Sequence, residues 1–482
     1  MSLKIDQSIS VRDLLPKLTR VFEFSAQKID ALQRTWNPGQ GTPVFTAGGR
    51  YTSRGWTEWT QGFQFGSALL QFDATGQEEF LEFGRRNTVR HMASHISHFG
   101  VHDHGFNNIS TYGNLWRLMR EGKIPANEPE QNFYELALKV SGAVQASRWT
   151  DLGGGAGFIC SFNGQHSLFV DTLRSLRSLA VAHQLGHVLM GERDCRINLL
   201  QRLIAHAVTT AKYSVYYGES RDIYDLRGRV AHECIFNVRD GSFRCPNSQQ
   251  GYSPFTTWTR GLAWAILGFA EELEFLLAVP EKQIREALTH FAEGSSALGK
   301  DKNFIPRTTR QVRDIFLRAA TATADFYVDN TCRDGIPMWD TGAPNLHRLG
   351  NYLEKRADPY NAWEPVDSSA AVIAAQGLIR LGGYLQRLGQ VGQAKRYLQA
   401  GLTVVGTLFD EPYLSTDPRH QGLLLHSVYH RPNGWDFVAR GQKVPNGESS
   451  MWGDYHAREL ALLLLREVQG QPRLLFFRPR AS

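Results

Sequence analysis

The chain has 482 residues, 42% hydrophobic and 21% charged, the composition of an ordinary globular protein with ample material for a core. Its net charge of +6 is thin at this length, and no run of five or six basic side chains offers a grip for nucleic acid. Such a charge mildly favours an anionic ligand and serves equally as a plain solubility charge.

Cys160, Cys195, Cys234, Cys245 and Cys332 form an odd set without CxxC spacing. A disulfide framework or zinc ribbon is therefore not indicated, and reduced thiols fit better. The opening residues carry no apolar signal region, and no later stretch has the length of a membrane span. The sequence as it stands reads as cytoplasmic, or as periplasmic or secreted if a signal peptide has been removed.

Helical periodicity runs through residues 12–33, 66–72, 78–96, 132–146, 171–189, 195–212, 261–277, 282–297, 308–327, 368–387, 391–408 and 453–467. Pro280-Glu281 and Asp367-Ser368 are start signals for two of these helices. Strand signals are local, at 214–217 and 234–238. Alternate connections are long, aromatic and rich in Gly: 56–66, 102–112, 164–172, 232–264, 335–367 and 445–455. Long loops in a compact domain usually carry function. A ring of helical hairpins, each presenting one such loop at the same end, would gather all six around one cleft. The expected fold is all-α, a toroid of six helix pairs with a few short strands in the long loops, as one domain over 1–482. The stretch 378–405 would pass for a tandem-repeat unit, but no fixed period runs along the chain.

Several motifs fail on inspection. Residues 91–104 hold five histidines; His91 and His95 have helical zinc-ligand spacing, yet no third ligand has a motif of its own, and solvated or capping histidines are the better reading. His183 and His187 imitate a metalloprotease pattern, but Gln184 stands where the general-base Glu must be. The glycines of 151–158 lack the spacing and the Lys of a phosphate loop, and there is no GxSxG elbow. No metal or cofactor is indicated.

Aromatic residues lead further. Trp56, Trp59, Trp258, Trp264, Trp339, Trp363 and Trp452, seven of eleven tryptophans, fall in the long loops or at their edges. Any one is ordinarily a buried structural residue; seven at one end suggest a cleft in which indole rings stack on sugars. Interleaved are polar groups able to read hydroxyls and a carboxylate: His232, Gln250, Arg260, Asp340 and Asp367. Asp103 lies in His-Asp-His-Gly-Phe, and Asp171 opens a helix after Phe169-Val170. A carboxylate at a helix start is by itself a cap. Paired in a sugar cleft, two carboxylates supply the proton donor and charge partner of glycoside hydrolysis, and each raises the other's pKa.

Trp59-Thr-Gln-Gly-Phe63 with Gly66, Asp73-Ala-Thr-Gly76, His102-Asp-His-Gly-Phe106 and Asp171-Thr172 resemble, in order, motifs of the unsaturated glucuronyl hydrolases. The series continues with Arg239-Asp-Gly-Ser242, Gln250-Gly-Tyr252, Trp258-Thr-Arg-Gly-Leu-Ala-Trp264, Asp367-Ser-Ser-Ala370 and Gly453-Asp-Tyr455, covering about residues 50–465. These enzymes form glycoside hydrolase family 88, with the related unsaturated rhamnogalacturonyl hydrolases.

The resemblance implies an (α/α)6 barrel and a metal-free hydration of the 4,5-unsaturated uronic acid that polysaccharide lyases leave at a non-reducing end. The expected partner is thus an oligosaccharide ending in a uronic acid. By position, Asp171 resembles the general acid/base and Asp103 the carboxylate that tunes it. His232, Gln250, Trp258, Arg260 and Trp264 resemble residues around the uronic ring, and Trp59 an aromatic wall. Two features depart from the family. Arg174, about one turn beyond Asp171, is in reach to pair with it and lower its pKa, with Arg177 nearby, and Thr60-Gln61 precede Gly62 where the family commonly has an acidic or amide residue. Alternatives are a saturated β-glucuronidase or polysaccharide lyase on the same fold, and a non-catalytic carbohydrate-binding helical protein.

Overall fold

The computed structural model describes residues 2–291 and 302–480. Twelve helical elements dominate: α1 (Leu15–Thr35), α2 (Gln61–Thr75), α3 (Glu78–His91), α4 (His104–Asn108, a π-helical turn at Ile109–Gly113, then Asn114–Arg120), α5 (Glu128–Ser147), α6 (Thr172–Ser175 and Arg177–Gln184), α7 (Leu199–Tyr213), α8 (Thr259–Ala278), α9 (Thr309–Asp329), α10 (Ser368–Arg387), α11 (Val391–Leu408) and α12 (Met451–Val468). The periodic stretch 282–297 yields a short helix, Glu281–Leu288; positions 292–297 lie outside the described residues.

Burial divides the twelve into alternating kinds. On α1, Leu18, Val21, Phe22, Ile29 and Leu32 are buried along one stripe, the i, i+3, i+4 pattern of a helix with one face to solvent. By contrast, α8, α10 and α12 are buried on almost every side. The even-numbered helices pack in sequence, α2 on α4, α4 on α6, α6 on α8, α8 on α10, α10 on α12, and α12 back on α2. The odd-numbered helices lie outside them: α3 on α2, α5 and α7 on α6, α9 on α8, α11 on α10, and α1 against α12 and α2.

One inner helix was not legible in the sequence. Residues 102–112 read as a loop, whereas from His104 onward they begin α4. Gly105, Asn107, Asn108, Ser110, Thr111, Gly113 and Asn114 have weak helix propensity, but all are buried, and two of their side chains bond back to the helix itself. The Thr111 hydroxyl donates to the Asn107 carbonyl at 2.7 Å, and the Asn114 amide to the Ser110 carbonyl at 2.8 Å. Gly105 sets the approach to α6, since a Cβ there would stand 2.3 Å from the Ser175 carbonyl oxygen. Tertiary packing overrides propensity here.

Strands are short and lie between helices. β1 (Thr42–Ala47) pairs antiparallel with β2 (Arg50–Arg54), and β3 (Trp149–Gly153) with β4 (Ala156–Ile159). β5 (Ser167–Phe169) belongs to a three-stranded sheet, β6 (Leu189–Met190) pairs with β7 (Arg196–Ile197), and β8 (Glu233–Phe236) joins β5 to β9 (Phe243–Asn247). Of the expected strands, 234–238 overlaps β8, while 214–217 contributes a single bridge, Val215 to Val230. The bridge Trp258–Asp340 ties two of the long loops together, Met338–Val366 closes the 335–367 loop on itself, and Leu425–Ser449 ties the last long loop to the segment before it. Among the described residues no helix is long and apolar enough to cross a membrane.

Candidate active site

Each inner helix starts where a long connection ends, and the starts converge. Trp59 precedes α2; Asp103 and Phe106 open α4; Asp171 opens α6; Trp258, Arg260 and Trp264 open α8. All of these, with His102, Phe162 and Gln250, line one pocket. The start of α10 reaches it through Asp367, which holds Arg260 at 3.2 Å, and that of α12 through Trp452, whose ring stacks on Trp59 at 5.1 Å. Helix dipoles with their positive ends toward one cleft favour an anion there.

Asp103 and Asp171 are both at N-cap positions, yet neither side chain makes a capping hydrogen bond. They are buried, and the Asp171 Oδ1 has no hydrogen-bond partner in the protein. Between them stands His102, its Nε2 at 3.7 Å from an oxygen of each. That distance is an ion pair rather than a hydrogen bond. The His102 carbonyl accepts from Gln145 and Ser175, and Phe162 stacks over its ring at 5.9 Å.

The three groups are pushed apart electrostatically. Burial drives the Asp103 carboxyl up, and the Asp171 charge adds to this against the pull of His102, leaving it raised. Burial also pushes Asp171 up, but His102, with a contribution from His232, outweighs it and leaves this carboxyl lowered. Burial pulls the His102 imidazole down, and the two carboxylates more than reverse that, leaving it raised. Such interacting groups titrate as a set.

The expected pairing of Arg174 with Asp171 does not occur. Arg174 points away into the buried ring of helices, where its guanidinium meets Glu271 at 2.5 Å, Glu459 at 2.7 Å and His456 Nε2 at 2.7 Å. Arg177 joins the same network, 3.7 Å from Glu459. The lowered pKa of Asp171 therefore comes from His102, a residue to which sequence reading gave no role.

Arg260 is a hub for the loops. Its guanidinium donates to Gln250 Oε1 at 2.9 Å, the Tyr429 carbonyl at 2.8 Å, the Val428 carbonyl and Asp367, and it lies 4.6 Å from the Trp258 ring and 4.8 Å from that of Trp452. His232 sits behind the pocket wall, between Phe169 and Trp258 at 4.6 Å from each ring. Burial holds its imidazole down at about 4. Its Nδ1 accepts the backbone N–H of Gln249 at 3.0 Å and of Gln250 at 3.3 Å, so it fixes the Gln250 loop.

Other sequence candidates fall outside the pocket. Asp340 is a loop strut that accepts the backbone N–H of Tyr252 and of Gly342, each at 2.9 Å, with burial raising its carboxyl to about 6. Trp339 is buried and donates to Glu364, Trp363 lies against Arg348, and Trp56 is 63% exposed. Sequence reading missed Phe162 and Phe106 as lining residues; Phe106 was at least inside a quoted motif, whereas nothing around Phe162 marks it. Among the described residues no group of three or more His, Cys, Asp or Glu is arranged to hold a metal ion.

No family model matches the chain. An unsaturated glucuronyl hydrolase of Bacillus sp. (strain GL1) is 24% identical over 421 residues, 86% of this chain and 88% of the relative. An unsaturated chondroitin disaccharide hydrolase of Streptococcus pyogenes serotype M1 is 22% identical over 85% of this chain and 82% of its own length. The crystal structure of the Bacillus sp. GL1 unsaturated glucuronyl hydrolase superposes with a TM-score of 0.66 at 20% identity, covering 96% of this chain and 98% of that one. A Streptococcus agalactiae unsaturated glucuronyl hydrolase variant complexed with dGlcA-GalNAc6S superposes with a TM-score of 0.59 at 16% identity, over 98% of this chain and 99% of that one. In sequence and in fold, over more than four-fifths of its length, the chain is similar to the unsaturated glucuronyl hydrolases.

Proposed function

We propose that the chain is a single (α/α)6-barrel domain that hydrolyses oligosaccharides ending in a 4,5-unsaturated uronic acid, by hydrating the C4=C5 bond. The observation that carries this reading is the buried Asp103–His102–Asp171 set inside a pocket walled by aromatic rings. The similarity to named unsaturated glucuronyl hydrolases over most of the chain supports it.

In this mechanism Trp59, Trp258 and Trp264 enclose the uronic ring, and Gln250, braced by Arg260 and His232, addresses its polar groups. Asp171 delivers a proton to C4, and positive charge develops at C5, shared with the ring oxygen. Asp171, now a carboxylate, takes a proton from water, whose oxygen bonds to C5. The hemiketal opens by breaking the bond from C5 to the ring oxygen, and the neighbouring sugar leaves C1. Asp103 and His102 hold the proton that loads Asp171 before the first transfer, and the water restores it afterwards. An anionic uronate entering the pocket displaces water and disfavours the Asp171 carboxylate, so the shared proton moves to it.

The opposite pKa directions of the two carboxyls support a second reading, in which Asp103 donates to C4 and Asp171 activates the water. Kinetics of Asp171→Asn and Asp103→Asn separate the two. On the first reading Asp171→Asn loses about 10³-fold or more in kcat at every pH, and Asp103→Asn retains more activity. The reverse order establishes the second.

Ultraviolet absorbance on lyase-made disaccharides from glycosaminoglycan, pectin and ulvan tests the reaction itself. Decay of the conjugated uronate signal is the expected result. A rise on intact polysaccharide would make the protein a lyase, and sugar release from saturated glucuronides without an absorbance change would make it a β-glucuronidase. Ligand binding without turnover in the unmodified protein would make it a binder.

A further inference from the structure

The wall of the pocket continues outward as a chain of rings. Trp59 stacks on the buried Trp452, Trp452 lies 5.2 Å from Tyr429, and Tyr429 lies 5.4 Å from Trp435. At the outer end Trp435 is 43% exposed. Its position is fixed, because the Asp436 carboxylate accepts the backbone N–H of Tyr429 at 2.5 Å and of His430 at 3.1 Å. The Tyr429 carbonyl in turn takes the Arg260 guanidinium that lines the pocket.

Over this outer end lies a cation. The Arg54 guanidinium sits 4.2 Å from the Trp435 ring centroid and 5.0 Å from that of Tyr429. Among the described residues no carboxylate comes within ion-pair distance of it. The chain of rings from Trp59 through Trp452 and Tyr429 to Trp435 connects this cation to the pocket wall.

We propose that Trp435 and Arg54 form the platform for the sugar released from the uronyl residue, and that Arg54 selects an anionic substituent on that sugar. This rests on reading the pocket as the uronyl site. An exposed indole offers a flat apolar surface to a sugar face. A guanidinium stacked on it retains its N–H fork for a sulfate or carboxylate, with the bidentate geometry such oxyanions favour. A purely structural cation–π pair has the same geometry, so the test must read selectivity rather than stability.

The experiment compares two unsaturated disaccharides that differ only in a sulfate on the released sugar, followed by ultraviolet absorbance. Arg54→Gln is expected to lower the ratio of kcat/KM for the sulfated over the unsulfated substrate by about tenfold. Trp435→Ala is expected to raise KM for both by about tenfold, and Trp435→Phe to restore most of that loss. An unchanged ratio in Arg54→Gln, or an unchanged KM in Trp435→Ala, overturns the proposal. If the unmodified protein consumes neither disaccharide, the hydrolase reading fails, and the platform is then judged by tryptophan fluorescence with a free sulfated N-acetylhexosamine. Quenching that disappears in Trp435→Ala upholds the platform, and no quenching in the unmodified protein overturns it.

Discussion

At the scale of the residue, the site works by keeping three buried groups in disagreement. Asp103 is a carboxyl whose folded pKa is raised, so the folded state holds its proton more tightly than the unfolded chain does. Stability from that difference is present at low pH and is lost as pH rises through the folded pKa, above which the ionised Asp103 is a cost. Asp103→Asn removes that cost, and a thermal melt at pH 7 should show a higher Tm than the unmodified protein while turnover falls. Asp171 runs the other way: its lowered pKa adds stability above the unfolded value, lost as pH falls through the folded one. His102 sets the lowered direction at Asp171 and opposes the raised one at Asp103. In His102→Gln the last shared proton belongs to a carboxyl rather than to an imidazole of raised pKa, so the alkaline limb of kcat/KM should move to lower pH. A limb that stays in place would remove His102 from the proton set.

At the scale of the element, α4 is the instructive case. Its residues carry the site motif, and they were readable as chemistry before they were readable as helix. Asn107 shows why: its Oδ1 accepts the backbone N–H of Gly62 across the α2–α4 contact at 2.8 Å, a partner 45 positions away that no local pattern reveals. The same close contacts make glycine obligatory at the crossing points. A Cβ on Gly105 would lie 2.3–2.6 Å from the backbone of Ser175, and neither helix can give way, since each is packed on its far side as well. Gly105→Ala should therefore destabilise by about 3 kcal/mol, the upper range for forcing extra atoms into a packed core, read as a lower urea midpoint. It should also lower activity, because Ser175 holds the His102 carbonyl.

At the scale of the whole molecule, the interior of the helix ring is held by charges as well as by apolar packing. Arg174, Arg177, Arg380, Glu271, Glu274 and Glu459 are buried together, with Arg380 paired to Glu274 at 2.7 Å and 3.7 Å from Glu271. Burial would raise the Glu459 carboxyl, but Arg174 and Arg177 hold it down at about 2. A small neighbouring cavity of about 20 Å³ is lined by members of this network and by Leu474, Leu475 and Phe476. Removing one partner leaves opposite charges buried and unpaired, so Arg174→Ala should cost about 3–5 kcal/mol, measured by urea unfolding. Its folded fraction should keep the unmodified pH dependence, because Arg174 does not touch Asp171; a shifted profile would contradict the geometry.

The sequence by itself determined the helix periods, the long aromatic loops that alternate with them, and the ordered motifs around Asp103, Asp171 and Trp258 to Trp264. Apolar spacing and loop composition are local properties, and one chain displays them directly. Tertiary structure alone decided that His102 lies between the two carboxyls, that Arg174 faces a glutamate network instead of Asp171, that His232 stands behind the wall, and that residues from His104 onward are helical. Each of these depends on a partner distant in sequence and on the exclusion of water around it. Helical spacing put Arg174 within reach of Asp171, but only the folded interior determined the direction in which its side chain points.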